Sequence, residues 1–176
     1  MSFYDKIRND VFDLIDLHET RDPKKILIER NIILMPFKRN TKLLGMYKII
    51  MRNRFVFYNP NIDEKMLRMV LAHELGHDLY HREIASKNEL IEYTLLDINS
   101  EMEMEANIFA AHLLLDENEI DELAKREYNY EQMARACNVN LNLLIIKLNE
   151  MQRQGYKLNL QEYGDRNFFR DIDGRK

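Results

Sequence analysis

The stretch MVLAHELGHDLYH, from Met69 to His81, constrains this chain more than any other part of it. In a helix, residues four apart are rotated by only about 40 degrees, so His73 and His77 leave one face a single turn apart. Their imidazoles can then reach one small cation. Glu74 lies about 100 degrees round from His73, where it can reach a water without being a ligand itself. Two imidazoles do not complete a metal site that usually takes three protein ligands, so the fold must bring a second element against this helix. Gly76 costs about 1 kcal/mol relative to alanine inside a helix, and stability alone does not explain it. It permits close approach of another backbone. Met66, Met69, Val70 and Tyr80 extend the same side and predict that the histidines face packed structure.

The partner is expected in SEMEMEANIFAAHLLL, where Glu101, Glu103 and Glu105 compete. Wound as a helix, Met102, Ala106, Phe109, Ala110, Leu113 and Leu114 form an apolar face. Glu103 falls at its edge, while Glu101, Glu105 and His112 gather on the opposite side, toward solvent. An unpaired carboxylate turned toward a core is costly, and a metal would account for it. Glu103 is therefore the expected third ligand. Asn107, one turn on, is a candidate to orient a ligand. His81 continues the histidine row, about 12 Å along the axis from His73, too far to share one coordination sphere. It reads as a rim or substrate-side group, with a surface role left open. His18 has no such context.

Around these two helices the pattern predicts an α+β chain with a small sheet of about three strands. Ser2 to Glu19 carries a helical apolar stripe, and Asp22-Pro23 is a helix start for Pro23 to Glu29. NIILMPF is a short strand ended by Pro36, or one at an edge. Gly45 reads as a break, followed by a hairpin of Met46–Met51 and Arg54–Tyr58 around an Arg52-Asn53 turn. Asp63 begins the metal helix, which runs to about His81. Lys87 to Ile98 is ambiguous between loop and helix. Ser100 followed by Glu103 is a capping-box pattern that starts a helix to about Leu115. A short helix over Asn118–Arg126 follows. Tyr130 to Asn149 then reads as two helices around a turn at Asn138–Asn140. The polar tail from Gly155 on, ending in NFFRDIDGRK, is expected to be loosely held.

Composition narrows the function classes. The 176 residues carry a formal net charge of -4, so no general basic field favours a phosphate backbone. No stretch approaches the roughly 18 apolar residues that would cross a bilayer. The single Cys137 rules out an internal disulfide and reads as a core thiol in a reducing compartment. A cytoplasmic protein without direct nucleic-acid or membrane binding is expected.

The order of a small sheet, then FVFYNPNIDEKMLRMVLAHELGHDLYH, then EMEMEANIFAAHLLL resembles the ImmA/IrrE family of metallo-endopeptidases, over roughly Ile26 to Asn149. Members typically show HELGHxLLH followed by ExEANxFAAxLLMP; here LLLDENEI stands in place of LLMP. The resemblance implies a zincin-like domain over residues 1–128, with a C-terminal helical segment, 129–176, packed on it. It implies His73, His77 and Glu103 as metal ligands and Glu74 as catalytic acid/base. Zinc is the expected ion, and manganese or iron suits the same donor set. The hairpin before the metal helix resembles the place where such proteases hold an extended substrate by strand addition. Tyr80, His81, Tyr47 and Tyr58 are candidates to stabilise the oxyanion. Family members often inactivate a Cro/CI-type helix-turn-helix repressor of a phage or integrative element, which makes such a repressor the expected partner. The alternative is a metal-binding interaction module that antagonises the repressor without cutting it. A third reading is DNA binding through the C-terminal helices, which resemble a helix-turn-helix.

Overall fold

A computed structural model of the chain describes residues 3–39, 41–86, 91–93 and 100–157. The chain begins with helices α1 (Phe3–His18) and α2 (Pro23–Glu29), then strands β1 (Ile33–Pro36), β2 (Gly45–Ile50) and β3 (Asn53–Tyr58). Next come α3 (Glu64–Tyr80), α4 (Arg82–Ser86), a short β4 (Ile91–Tyr93) and α5 (Glu101–Leu114). The C-terminal part is helical: α6 (Glu117–Lys125), α7 (Tyr130–Ala136) and α8 (Leu141–Arg153). None of the described helices is long and apolar enough to cross a membrane.

Side-chain caps set most of the helix starts. Asp22 accepts from the Lys24 amide ahead of Pro23, and Asp63 accepts from the Met66 amide at 2.7 Å. Ser100 accepts from the Glu103 amide at 3.2 Å. Each cap satisfies an amide that the first turn would otherwise leave bare. The α7 start has a complete capping box, with Asn129 and Gln132 bonded reciprocally.

The sheet order is β1-β3-β2-β4. β1 runs parallel to β3, and β2 is antiparallel to both β3 and β4. Two details of the hairpin differ from the sequence-based expectation. Gly45 is the first residue of β2, not a break before it, and the turn falls on Met51-Arg52, one residue early. Ile50 pairs with Asn53, so the loop has two residues, and both take positive φ, 49° and 66°. That mirror-image geometry matches the twist of the flanking strands and is available to ordinary residues at some cost. The ambiguous segment Lys87–Ile98 is described only at Ile91–Tyr93, which pair with Tyr47–Gly45 as β4. The tail NFFRDIDGRK lies outside the described residues.

α5 is the central helix. It packs along α3 on one side and against α1 and α8 on others, while α3 also lies under β2 and against α2. Ile7, Val11, Phe109, Leu113, Leu144 and Met151, all under 2% exposed, join these helices in one core. Two rows of α3, each spaced by four, therefore meet different neighbours. Residues 70, 74 and 78 run along β2, and residues 73, 77 and 81 run along α5.

Candidate metal centre

The α3–α5 contact places the two parts of the site. A Cβ added to Gly76 would lie 3.0 Å from the Ala106 Cα and 3.2 Å from Phe109 Cδ1, so glycine at this point lets the helix backbones close together. Across that contact, His73, His77 and Glu103 offer ligand atoms that all lie within 4.8 Å of one another. His73 Nε2 is 2.9 Å from His77 Nε2 and 3.1 Å from Glu103 Oε2, and His77 Nε2 is 3.4 Å from Glu103 Oε1. Tetrahedral zinc with bonds of about 2.0–2.2 Å keeps its ligand atoms roughly 3.3 Å apart, which these spacings bracket. All three side chains are buried, and Glu103 Oε2 has no hydrogen-bond partner among the described residues. The donor set fits a divalent cation.

Groups behind the ligands fix which nitrogen faces the centre. His73 Nδ1 lies 2.9 Å from Asn107 Oδ1, an acceptor, so Nδ1 carries the proton and Nε2 is left unprotonated, as coordination requires. His77 Nδ1 lies 2.8 Å from His81 Nδ1, and His81 Nε2 lies 2.8 Å from Glu105 Oε2. Each N–H in that chain has one acceptor if His77 donates to His81 and His81 donates to Glu105. Burial lowers the His77 pKa to about 4, although Glu103 pulls the other way, so His77 is neutral at ordinary pH. Burial acts to raise Glu103, but the His73 and His77 imidazoles against its carboxylate outweigh that and hold it down at about 2.

Glu74 differs from the other acids. It is 0% exposed, and neither carboxylate oxygen has a hydrogen-bond partner among the described residues. Burial, and then the charge of Glu103, push its pKa well above the ordinary carboxylate value. Gly45 lies directly over it: a Cβ there would come within 2.6 Å of Glu74 Oε1 and 2.5 Å of Val70 Cγ1. A buried carboxyl with a raised pKa beside a metal-type cluster suits a general acid/base, and a purely structural site does not call for one.

The structure brings His73, Glu74, His77 and Glu103 together as expected, and Asn107 with them. Two expectations change. Glu105 and His112 do not face solvent: Glu105 holds His81, and His112 is 2% exposed, with its Nδ1 2.8 Å from the Lys147 ammonium. The reason is that α5 has neighbours on several sides, so its polar face is covered as well. His81 is not at the rim; it is 4% exposed and sits behind His77. His18 is bonded to Glu29 at 2.6 Å, and Cys137 is buried, its thiol pushed up to about 11 by burial. Among the oxyanion candidates, the Tyr80 hydroxyl donates to Asp10 at 3.1 Å and the Tyr47 hydroxyl to Asp78 at 2.7 Å, so both have partners elsewhere.

The buried Asp78 had no sequence signal beyond its place next to His77. Besides Tyr47, it receives Arg54 Nη1 at 3.0 Å and Arg82 Nη2 at 3.0 Å, with Arg30 Nη2 at 3.4 Å.

Comparison with known proteins gives two matches. Residues 31–149 match the IrrE N-terminal-like domain, a peptidase family, over a span that includes the sheet and both ligand-bearing helices. The chain is also 29% identical over 144 residues to "Uncharacterized immunity region protein 2" of Bacillus phage phi105, covering 82% of this chain and 90% of that protein.

Proposed function

The chain belongs to the IrrE N-terminal-like domain family of metallopeptidases, and from that premise we propose that it is a zinc-dependent endopeptidase that hydrolyses a peptide bond in a helix-turn-helix repressor of a mobile element. The observation that carries the peptidase reading is Glu74, fully buried and without a side-chain partner among the described residues, beside three converging ligand atoms. The repressor reading rests on the resemblance of the motifs and is supported by likeness to a phage immunity-region protein.

His73, His77 and Glu103 would hold the ion, which supplies Lewis acidity that polarises the scissile carbonyl and makes water acidic enough to attack near neutral pH. Glu74 takes a proton from the attacking water and then passes it to the leaving amine nitrogen. Burial pushes its pKa up, which makes its carboxylate a stronger base toward the water than an exposed one. Asn107 and His81 hold the two imidazoles in the tautomer that leaves Nε2 unprotonated.

Purified protein, with and without zinc, is incubated with the repressor encoded beside its gene, and mass spectrometry reads the products. Discrete fragments that need zinc are expected. Glu74→Gln should bind zinc like the parent and cut at least about 1,000-fold more slowly. Release of the repressor from DNA with no new fragment would instead support an antagonist that acts by binding. Full cleavage by Glu74→Gln would remove Glu74 from the chemistry.

A further inference from the structure

We infer that Asp78 and Tyr47 are positioning residues for Glu74: their hydrogen bond locks the catalytic row of α3 onto β2. The inference rests on the peptidase reading of Glu74 and adds a pair of residues that no motif includes.

Val70, Glu74 and Asp78 follow one another at intervals of four, so they share one face of α3. That face meets β2 at two places. At the first, Gly45 lies over Val70 and Glu74 so closely that no side chain would fit between. At the second, two residues along β2 from Gly45, the buried Tyr47 hydroxyl donates to Asp78 Oδ1 at 2.7 Å. Residues two apart in a strand point to the same face, so Gly45 and Tyr47 both look onto α3. The spacing of two on the strand spans about 6.6 Å, and four on the helix about 6 Å, so the two contacts run in step.

Glu74 needs such an anchor because no side chain among the described residues hydrogen-bonds its carboxylate, and the Tyr47 backbone that approaches it is itself part of β2. The histidine row is held from the other side, by Asn107, Glu103 and His81. The β2 contacts fall on the face of α3 that carries Glu74, and so set Glu74 relative to the strand. Asp78 is well suited to the task. It is 0% exposed and gathers donors from separate elements: Tyr47 on β2, Arg54 on β3, Arg82 on α4 and Arg30 at the end of α2. Arg54 also donates to the Arg30 carbonyl, which ties β3 to the α2 exit. The carboxylate thus fastens the metal helix to the sheet one turn beyond the catalytic acid.

The test compares Tyr47→Phe, Asp78→Asn and Asp78→Ala with the parent and with Glu74→Gln. Tyr47→Phe removes one hydroxyl and leaves Asp78 its arginines, so it should fold and bind zinc within about threefold of the parent. Its kcat on the repressor should fall about tenfold or more with KM nearly unchanged, because a shift of about 1 Å in a reacting group can cost 100-fold. Asp78→Asn, which can still accept from Tyr47, should lose less than Asp78→Ala. An unchanged kcat in Tyr47→Phe, or a loss that merely tracks weaker zinc binding or less folded protein, would overturn the inference. Cobalt(II)-loaded samples give a readout that needs no substrate, since their visible spectra report the surroundings of the open coordination position. Tyr47→Phe should shift the spectrum in the same direction as Glu74→Gln. If the parent cuts no protein, the peptidase reading fails, and the spectrum still decides: a shift in Glu74→Gln alone would refute a positioning role for Tyr47.

Discussion

His73 and His77 are held by different kinds of partner. A single amide oxygen, Asn107 Oδ1, stands behind His73, whereas His77 leans on His81, which leans in turn on Glu105. Partners of this sort fix ring orientation and ligand basicity, and losing one typically costs 10- to 100-fold in metal affinity. His81→Phe keeps the bulk of the ring but breaks both bonds. It should weaken zinc binding by about 10- to 100-fold in a competition titration against a chromophoric chelator. Glu105→Gln, which retains an acceptor oxygen, should lose less. Unchanged affinity in His81→Phe would show that His77 is oriented by its packing alone. The convergence of the three candidate ligands could be read from the sequence, because spacing puts His73 and His77 on one face and the apolar stripe of α5 turns Glu103 inward. The place of His81 could not. A helical wheel shows which face of α5 is apolar, but not that its other face is covered too, so Glu105 looked like a solvent residue.

Gly76 decides how close α3 and α5 can lie. A methyl group would meet backbone at 3.0 Å, and a branched side chain would meet both Ala106 and the Phe109 ring. Overpacking of this kind costs typically about 1–3 kcal/mol and is relieved by moving one element away from the other. Glu103 rides on the element that moves, while His73 and His77 ride on the one that stays. Gly76→Val should therefore lower the thermal midpoint and also weaken zinc binding more than a loss of stability alone explains. Calorimetry on the folded protein checks this, and parent-like affinity would mean that the helices absorb the strain elsewhere. At this scale the helix starts were the most legible part of the chain, because Asp22, Asp63 and Ser100 each cap where the expected helix begins. The hairpin was less so. Its register follows from strand pairing, and the turn is forced onto Met51 and Arg52, which carry none of the glycine or asparagine chemistry that marks such turns.

Across the whole molecule, a second buried polar group ties the C-terminal helices to the core around the candidate metal site. The Glu117 carboxylate at the start of α6 accepts Arg8 Nε at 2.9 Å and Nη2 at 2.7 Å from α1. It also accepts Lys147 Nζ at 3.0 Å from α8 and the Tyr156 hydroxyl at 3.0 Å. Lys147 is 1% exposed and its ammonium also donates to His112, which burial and that same ammonium lower to about 3 and so keep neutral. No periodicity could have revealed this group, since Arg8, Glu117 and Lys147 are far apart in the chain and each looks like an ordinary surface charge on its own helix. Burial acts to raise Glu117, but Arg8 and Lys147 outweigh it and hold the carboxyl below its ordinary value of 4.5. A carboxyl with a depressed folded pKa binds protons more readily in the unfolded chain. Its stabilisation is complete above about 4.5 and drains away as the pH falls below that value. The parent should thus lose stability progressively in acid. Glu117→Gln leaves Lys147 buried without a counter-charge and should cost about 3 kcal/mol at pH 7, the low end for a broken buried pair because Arg8 is partly exposed. Below pH 4.5 the parent loses what the variant already lacks, so their urea midpoints should converge as the pH falls. A gap that stays constant from pH 7 to pH 3 would mean that Glu117 acts by packing rather than by charge.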